Sequence, residues 1–185
     1  MRRIVVSEFV TLDGVMEDPG GAEGFDRGGW AFQFERGPDG DKFKLDEVLE
    51  ADALLLGRKT YEGFAKAWPT VTDEAGFAEK MNSMPKYVVS STLESADWNN
   101  STVINGDVAE EVAKLDGNIL VAGSAQLVQT LMDHDLVDEY RLMIYPVLLG
   151  SGKRLFVDGV DTTALQIVET NQTGQVATVV LRRAA

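Results

Sequence analysis

The pattern that most constrains this chain is an alternation of short apolar segments with segments of helical spacing. Segments rich in Val, Ile and Leu are predicted as strands at 3–10, 53–56, 86–90, 102–104, 118–122 and 137–149. Helices are predicted among them at 41–51, 59–67, 74–84, 107–115 and 124–132. Helices that connect successive strands imply parallel pairing, with helices on both faces of the sheet. The last two predicted strands, 164–171 and 175–182, flank Gly174 and form an antiparallel hairpin.

We therefore expect one α/β domain over residues 1–185, with three layers, α/β/α, around a mixed, mostly parallel sheet. A chain of 185 residues buries enough apolar surface to fold without disulfides or metals. The segment 146–156 is predicted as a strand, a glycine turn and a second strand. Residues 13–29 contain six glycines and are predicted as a long loop, a candidate lid over a ligand.

The chain is strongly acidic, with 30 Asp and Glu against 17 Lys and Arg and a net charge of −13. Such a surface repels phosphate backbones and anionic lipids, so we expect neither nucleic acid nor membrane as a partner. The absence of Cys and the single His134 exclude thiolate and multi-histidine metal sites, and no metal is expected. No signal peptide or stretch of eighteen apolar residues is present, so we expect a cytoplasmic protein.

The first candidate binding site follows the predicted strand 53–56. Gly57 lies where this strand turns into a helix, and a helix N-terminus presents free N–H groups to anions. Arg58 and Lys59 follow directly. In so acidic a chain, two adjacent cations favour a phosphate ligand, because Arg binds phosphate through two N–H groups and Lys adds a point charge. The alternative is a helix start whose cations pair with surface acids.

Two further strand ends carry residues suited to phosphate. Ser90, Ser91 and Thr92 offer three hydroxyls, although a plain hydrogen-bonded turn is the alternative. Gly123 and Ser124 are small residues that let a ligand approach a helix N-terminus, and a turn capped by Ser124 is the alternative there. The dinucleotide pattern G-x-G-x-x-G is absent. Three such strand ends together favour one extended ligand with several phosphates.

Five motifs in a fixed order resemble the dihydrofolate reductase superfamily. They are TLDG at 11–14, LLGRKTYE at 55–62, KYVVSST at 86–92, AGSAQL at 122–127 and PVLLGSGKRLF at 146–156. The set is most similar to the reductase domain of the bifunctional riboflavin-biosynthesis deaminase/reductase and its stand-alone bacterial relatives. The resemblance spans nearly the whole chain and implies a dihydrofolate-reductase-like fold with a central mixed sheet of about eight strands.

The resemblance also implies NADPH as the cofactor. The residues it assigns are Gly57, Arg58, Lys59 and Thr60 at the adenosine and pyrophosphate, Ser90, Ser91 and Thr92 at the 2′-phosphate, and Ala122, Gly123, Ser124, Ala125, Gln126 and Leu127 around the pyrophosphate and nicotinamide ribose. Relatives join a Gly-Gly pair by a cis peptide at this last turn. The resemblance therefore raises the hypothesis of a cis bond between Ala122 and Gly123, although such a bond costs roughly 3–4 kcal/mol.

The substrate side departs from the dihydrofolate pattern, in which an acid on the first helix pairs with the pteridine ring. Glu35 is the nearest candidate here for a ring anchor or proton relay, and an exposed Glu beside Arg36 is the alternative. Asp13 and Gly14 lie beside the expected nicotinamide, and a structural Asp-Gly turn is the alternative for them. Trp30 and Phe34 are candidates to stack on a flat substrate, or else belong to the core.

Together these features predict an NADPH-dependent reductase that transfers hydride to a C=N or C=O of a small pterin-like or ribitylaminopyrimidine-like substrate. Asp13 and Glu35 are its candidate catalytic residues. A non-catalytic nucleotide- or small-molecule-binding module on the same fold is the alternative, and a protein with a vestigial pocket is a third reading. We also expect a homodimer, in which the apolar strand at 140–149 and the terminal hairpin pair across a two-fold axis.

Overall fold

The structure is a computed structural model that describes residues 1–184. Its strands are β1 Arg3–Thr11, β2 Ala53–Gly57, β3 Lys86–Val89, β4 Ser101–Ile104, β5 Asn118–Ala122, β6 Glu139–Tyr145, β7 Leu165–Thr173 and β8 Val176–Arg183. Its helices are α1 Gly37–Glu50, α2 Arg58–Ala67, α3 Phe77–Ser83, α4 Val108–Ala113 and α5 Ala125–Asp133, with short 3-10 helices at Trp30–Gln33 and Trp68–Thr70. Within the described chain no helix has the length and apolar character needed to cross a membrane.

The strands form one eight-stranded sheet in the order β4-β3-β2-β5-β1-β6-β8-β7. Strands β1 to β6 pair in parallel, and β8 and β7 add the antiparallel hairpin. The predicted mixed, mostly parallel sheet and its closing hairpin are confirmed. Strand β1 lies between β5 and β6, so its carboxyl end lies within the row of strand ends and not at an edge strand.

The two faces of the sheet are covered by different helices. Val48 of α1, Tyr61 of α2 and Met81 of α3 pack against one face, whereas Val112 of α4 and Leu127 of α5 pack against the other. This division follows from the connections between the strands. From β1 to β4 the chain, with α1 to α3, moves toward one edge of the sheet, whereas from β4 to β6 the chain, with α4 and α5, moves in the opposite direction. The three predicted layers are therefore present.

The predictions for residues 137–156 differ from the structure. The predicted strand 137–149 is shorter, because β6 ends at Tyr145 and Pro146 has no N–H group to continue the ladder. The two strands predicted within 146–156 are wrong, since only one isolated bridge forms there, between Val15 and Arg154.

The helix predicted at 74–84 begins later, at Phe77. Gly76 before it has a positive φ of 86°, which a right-handed helix excludes. The side chain of Asp73 accepts the backbone N–H groups of Phe77 and Ala78 and so caps the first turn.

Candidate functional site

The carboxyl ends of β2 and β5 lie side by side, at the point where ligands bind in sheets of this kind. The two strands are neighbours, but the chain leaves them for helices on opposite faces, α2 after β2 and α5 after β5. Such a change of direction leaves an open crevice between the two connections. The predicted motifs that start at Gly57 and Gly123 therefore share one crevice.

A hydrogen bond joins these two motifs across the crevice. The backbone N–H of Gly57 donates to Oγ of Ser124 at 2.8 Å. A Cβ atom at Gly57 would lie 3.3 Å from Cβ and Oγ of Ser124, so a larger residue would push the two loops apart. The Ser124 hydroxyl thus serves the opposite loop and does not cap its own helix.

Arg58 joins the first motif to the turn that follows β3. Its guanidinium donates to Oγ1 of Thr92 at 2.7 Å and to Oε1 of Glu62 at 2.8 Å. Arg58 thus pairs with the surface acid Glu62, as the alternative interpretation predicts. It also contacts the hydroxyl of Thr92, which is predicted to bind phosphate. The Arg58 side chain is 49% exposed, so it remains accessible to a ligand.

The three hydroxyls after β3 divide into two roles. Ser90 is buried, and its Oγ accepts the backbone N–H groups of Thr92 and Leu93 at 3.2 and 3.0 Å, which closes the turn. Ser91 and Thr92 are exposed beside Arg58. The turn alternative therefore describes Ser90, whereas Ser91 and Thr92 are exposed residues and the Thr92 hydroxyl accepts the hydrogen bond from Arg58.

The turn between β5 and α5 contains two successive residues in the left-handed conformation. Gly123 has φ 65° and Ser124 has φ 63°. The hypothesis of a cis bond between Ala122 and Gly123 is wrong, because the described chain has no cis peptide. Instead, the two positive φ angles turn the backbone into α5. A Cβ atom at Gly123 would lie 2.9 Å from Oγ1 of Thr60, so this position also requires glycine for space.

The first turn of α5 completes this side of the crevice. The N–H groups of Ala125, Gln126 and Leu127 are the helix donors that lack partners within the helix. Gln126 is exposed, while the Leu127 side chain is buried in the core and contributes only its backbone. Lys59 is exposed at the start of α2. The crevice thus combines backbone donors with the cations Arg58 and Lys59.

Asp13 fastens the end of β1 to the segment after β6. Its carboxylate accepts a hydrogen bond from Oγ1 of Thr11 at 2.5 Å, and backbone N–H groups of Leu149 and Gly150 donate at 3.3 and 2.7 Å. These donors lower the pKa of Asp13 to about 2, the Thr11 hydroxyl most of all. Asp13 is therefore ionised at neutral pH. Gly14 completes its turn with φ 83° and donates its N–H to the Thr11 carbonyl.

Trp30 belongs to the core. It is fully buried, its ring meets that of Tyr145 edge-on at 5.3 Å, and its Nε1–H donates to the Glu17 carbonyl at 2.9 Å. Phe34 is half-buried against the same Tyr145. Phe32, which the sequence analysis did not single out, is 83% exposed on the same 3-10 helix.

Glu35 lies beside the turn of the β7–β8 hairpin. Its backbone N–H donates to Oε1 of Gln175 at 2.8 Å, and its carbonyl accepts the Gln175 N–H at 2.7 Å. The side chain is exposed. The hydrogen bonds of Glu35 thus join it to the hairpin turn, whereas those of Asp13 join it to the turn at 149–150.

Glu8 is a buried carboxyl group that the sequence analysis missed. It is only 5% exposed, and its Oε2 accepts the backbone N–H of Gly123 at 3.0 Å. Burial raises its pKa well above the ordinary value. The available signal was a charged residue inside the apolar segment 3–10, since acids seldom lie within buried strands.

A second buried polar group lies on the opposite face of β1. Oγ of Ser7 donates to Glu47, whose carboxylate oxygens lie 2.7 and 2.8 Å away, and it accepts a hydrogen bond from Nζ of Lys44 at 2.8 Å. Lys44 and Glu47 also form an ion pair. Glu47 is 3% exposed, so this charge is paired as burial requires.

The glycine-rich loop after β1 is organised around Asp18. This residue is buried, and its carboxylate accepts the N–H groups of Glu23 and Phe25, both at 3.1 Å. Its carbonyl accepts the N–H groups of Gly21 and Gly29. The predicted loop at 13–29 is therefore hydrogen-bonded internally, whereas its role as a lid stays a prediction.

Comparisons with known proteins identify relatives over most of the chain. The model of the RibD C-terminal domain family matches residues 2–179. Two Bacillus subtilis (strain 168) proteins, both named as uncharacterized, are similar over most of their length. YyaP is 35% identical over an alignment of 176 residues that covers 91% of this chain and 88% of YyaP. YwjB is 31% identical over an alignment of 178 residues that covers 94% of each chain.

Solved structures share the fold. A protein of Shewanella sp. PV-4, whose name refers to riboflavin biosynthesis, aligns with a TM-score of 0.77 at 19% identity and 99% coverage of both chains. Acinetobacter baumannii RibD aligns with a TM-score of 0.67 at 15% identity, and this chain spans 58% of its length. The expected dihydrofolate-reductase-like, riboflavin-reductase-like fold is confirmed, and the chain belongs to the RibD C-terminal domain family.

Proposed function

We propose that this chain binds NADPH along the carboxyl ends of β2, β3 and β5 and reduces a C=N or C=O of a small heterocyclic substrate. One observation carries the proposal. Arg58 lies against Thr92 and Gly57 is hydrogen-bonded to Ser124, so the three predicted phosphate-binding segments meet at one edge. Family membership supports a reductase of the riboflavin-biosynthesis type.

The residues at this edge fit an extended anionic cofactor. In the proposed arrangement the 2′-phosphate contacts Arg58, Ser91 and Thr92, since a guanidinium and two exposed hydroxyls suit a phosphate. The diphosphate lies at the N-terminus of α5, where the helix dipole favours negative charge. A side chain at position 123 would collide with Thr60, so this position is glycine. The ligand can therefore approach the backbone here.

Reduced nicotinamide supplies the hydride, and the chain orients the reactants and excludes water. The carboxyl ends of β1 and β6 form the proposed substrate end. Leu12 and Leu148 expose apolar side chains there, and Phe32 lies on the neighbouring 3-10 helix. Apolar and aromatic surface of this kind suits a flat ring. We assign these residues, together with Gly14 and Phe34, to substrate contact.

Asp13 and Glu35 remain our candidate carboxylates at the substrate end, Asp13 as a positioning residue and Glu35 as a ring anchor. Asp13 is an ionised acceptor, so its proposed part is to orient the substrate end by fixing residues 149–150. Glu35 has an exposed carboxylate near the hairpin turn, from which it would hold a ring N–H.

We also propose a homodimer that forms through the edge of the terminal hairpin. Strand β6 is paired on both sides, whereas β7 is the last strand of the sheet that residues 1–184 form. On β7, Ile167 and Val168 are 63% and 46% exposed, and β7 has no Lys or Pro to oppose edge pairing. Gel filtration that gives a monomer mass at micromolar concentration would contradict this assembly.

The reductase proposal is tested by calorimetric titration with NADPH and NADH. We expect NADPH to bind more tightly, and Arg58→Ala to weaken NADPH about 10–100-fold with little effect on NADH, because it removes charge-assisted hydrogen bonds to the 2′-phosphate. Arg183→Ala is the matched control, since Arg183 also pairs with an acid on the surface, Asp135. Failure of both nucleotides to bind at millimolar concentration would overturn the proposal.

Turnover separates the enzyme from the binding module. A screen of dihydrofolate, other pterins and ribitylaminopyrimidines should show substrate-dependent oxidation of NADPH. If NADPH binds but no compound in a broad screen of such heterocycles is reduced, a non-catalytic binding module becomes the better account.

A further inference from the structure

The central strand β1 carries a carboxyl group beneath the proposed diphosphate site. Glu8 is only 5% exposed. Its Oε2 accepts a hydrogen bond from the N–H of Gly123, the residue that begins the turn into α5. The other oxygen, Oε1, is buried and has no hydrogen-bond partner among residues 1–184. A buried carboxylate with one unpaired oxygen is costly when it is ionised and much less so when it carries a proton.

The charged groups around Glu8 do not compensate its charge. On α1, Lys44 attracts it, but Lys44 is already ion-paired with Glu47, which repels it. On the loop after β1, Glu23 adds further repulsion. On the turn before α5, the Gly123 N–H contributes one hydrogen bond. Desolvation outweighs these attractions, and the pKa of Glu8 rises well above its ordinary value.

We infer that Glu8 is a proton-bearing positioning residue, and that an anionic ligand at the Gly123–Ser124 turn is bound more tightly by the form that carries this proton. The inference rests on the proposed function, because it takes the NADPH diphosphate as the anion. It assigns to Glu8 no contact with substrate or with the reacting atoms. Glu8 acts through Gly123, whose N–H it holds.

The charge of the ligand and the charge of Glu8 are linked. A diphosphate at the N-terminus of α5 and an ionised Glu8 below it would repel each other across a water-poor interior, where screening is weak. The repulsion disappears when Glu8 is neutral. Ligand and proton therefore favour each other, and by reciprocity the bound ligand increases the affinity of Glu8 for its proton.

The test is a titration of NADPH binding against pH with the wild type and Glu8→Gln. Gln is neutral at every pH, and its carbonyl can accept the Gly123 N–H. The 2′-phosphate also titrates near neutral pH, but equally in both proteins, so the difference between them isolates Glu8. Asp116→Asn is the control for lost charge, since Asp116 is exposed and pairs with the chain N-terminus at the opposite sheet edge.

We expect the two proteins to bind NADPH equally at low pH. As pH rises, the wild type should weaken relative to Glu8→Gln by up to about tenfold per pH unit, the limit for one linked proton. Asp116→Asn should follow the wild type. Parallel pH profiles for wild type and Glu8→Gln would overturn the inference and leave the proposed function intact. Absence of NADPH binding in all three proteins would overturn both.

A measurement on the wild type covers the case in which Glu8→Gln does not fold. Carbon NMR of the Glu side-chain carboxyls follows the protonation of Glu8 directly. We expect its signal to titrate well above the range of the exposed glutamates and to move to still higher pH when NADPH is added. A signal that titrates with the exposed glutamates, or that NADPH leaves unchanged, would contradict the inference.

Discussion

The two ends of the proposed site are built in different ways. At the cofactor end, the functional groups lie within short segments of sequence, and single hydrogen bonds such as Gly57 to Ser124 join one segment to the next. At the substrate end, Asp13 reaches residues 149 and 150, more than 130 positions away, and Trp30 is enclosed beneath Tyr145. The first end is therefore a set of local motifs, whereas the second depends on the whole fold.

The largest expected effect is on the free energy of unfolding, and it distinguishes a core residue from an exposed residue at the proposed substrate end. Trp30→Ala should lower the free energy of unfolding by about 3–5 kcal/mol, because it opens a cavity under Tyr145. Phe32→Ala, two positions along the same 3-10 helix, should change it by no more than about 0.5 kcal/mol, since Phe32 is 83% exposed. Urea unfolding measures both.

The same pair also tests the assignment of Phe32. If Phe32 contacts substrate, Phe32→Ala should raise KM in whatever reduction the chain catalyses and leave NADPH affinity unchanged. A large loss of stability in Phe32→Ala, or none in Trp30→Ala, would contradict the division between core and surface.

A middle-sized effect is expected at the cofactor end. Gly123→Ala should lower the free energy of unfolding by about 1–2 kcal/mol through its left-handed φ, and it should weaken NADPH about tenfold or more by displacing Thr60. Gly76→Ala has the same kind of strain, with φ 86° and open space around it. That control should lose similar stability without loss of NADPH affinity, as thermal unfolding and calorimetry would show.

The smallest effect concerns the pH dependence of stability. The folded-state pKa of Asp13 is about 2, below the ordinary value of 3.8, so the stability it contributes is present above pH 4 and is lost as pH falls toward 2. Asp13→Asn should therefore flatten the decline in the urea midpoint between pH 4 and pH 2. An unchanged slope in Asp13→Asn would contradict the role of this carboxylate in fastening β1 to residues 149–150.

The same contrast explains what the sequence could predict. The strands and helices follow from local periodicity, and Gly57, Arg58 and Ser124 lie in turns that adjoin predicted strands. The sheet order, which the local patterns do not contain, then brings them together. Local patterns therefore predicted most of the strands and helices, whereas the binding of a cofactor by these residues stays a prediction.

The remainder depends on contacts that no local pattern contains. The burial of Trp30 requires Tyr145 above it, and the role of Asp13 requires the turn at 149–150. Ser124 follows the rules for a helix cap, yet its hydroxyl serves Gly57 across the crevice. Glu8 was visible as an acid within an apolar strand, but its meaning depends on Gly123, 115 positions away.

The most direct measurement is a crystal structure of the chain with NADP⁺ bound. The account predicts the 2′-phosphate within hydrogen-bond distance of Arg58 and Thr92, the diphosphate at the N-terminus of α5 beside Gly123, and the nicotinamide toward the end of β1. A nucleotide bound away from the carboxyl ends of β2 and β5, or with its 2′-phosphate at the end of β1, would contradict the assignment of the two ends.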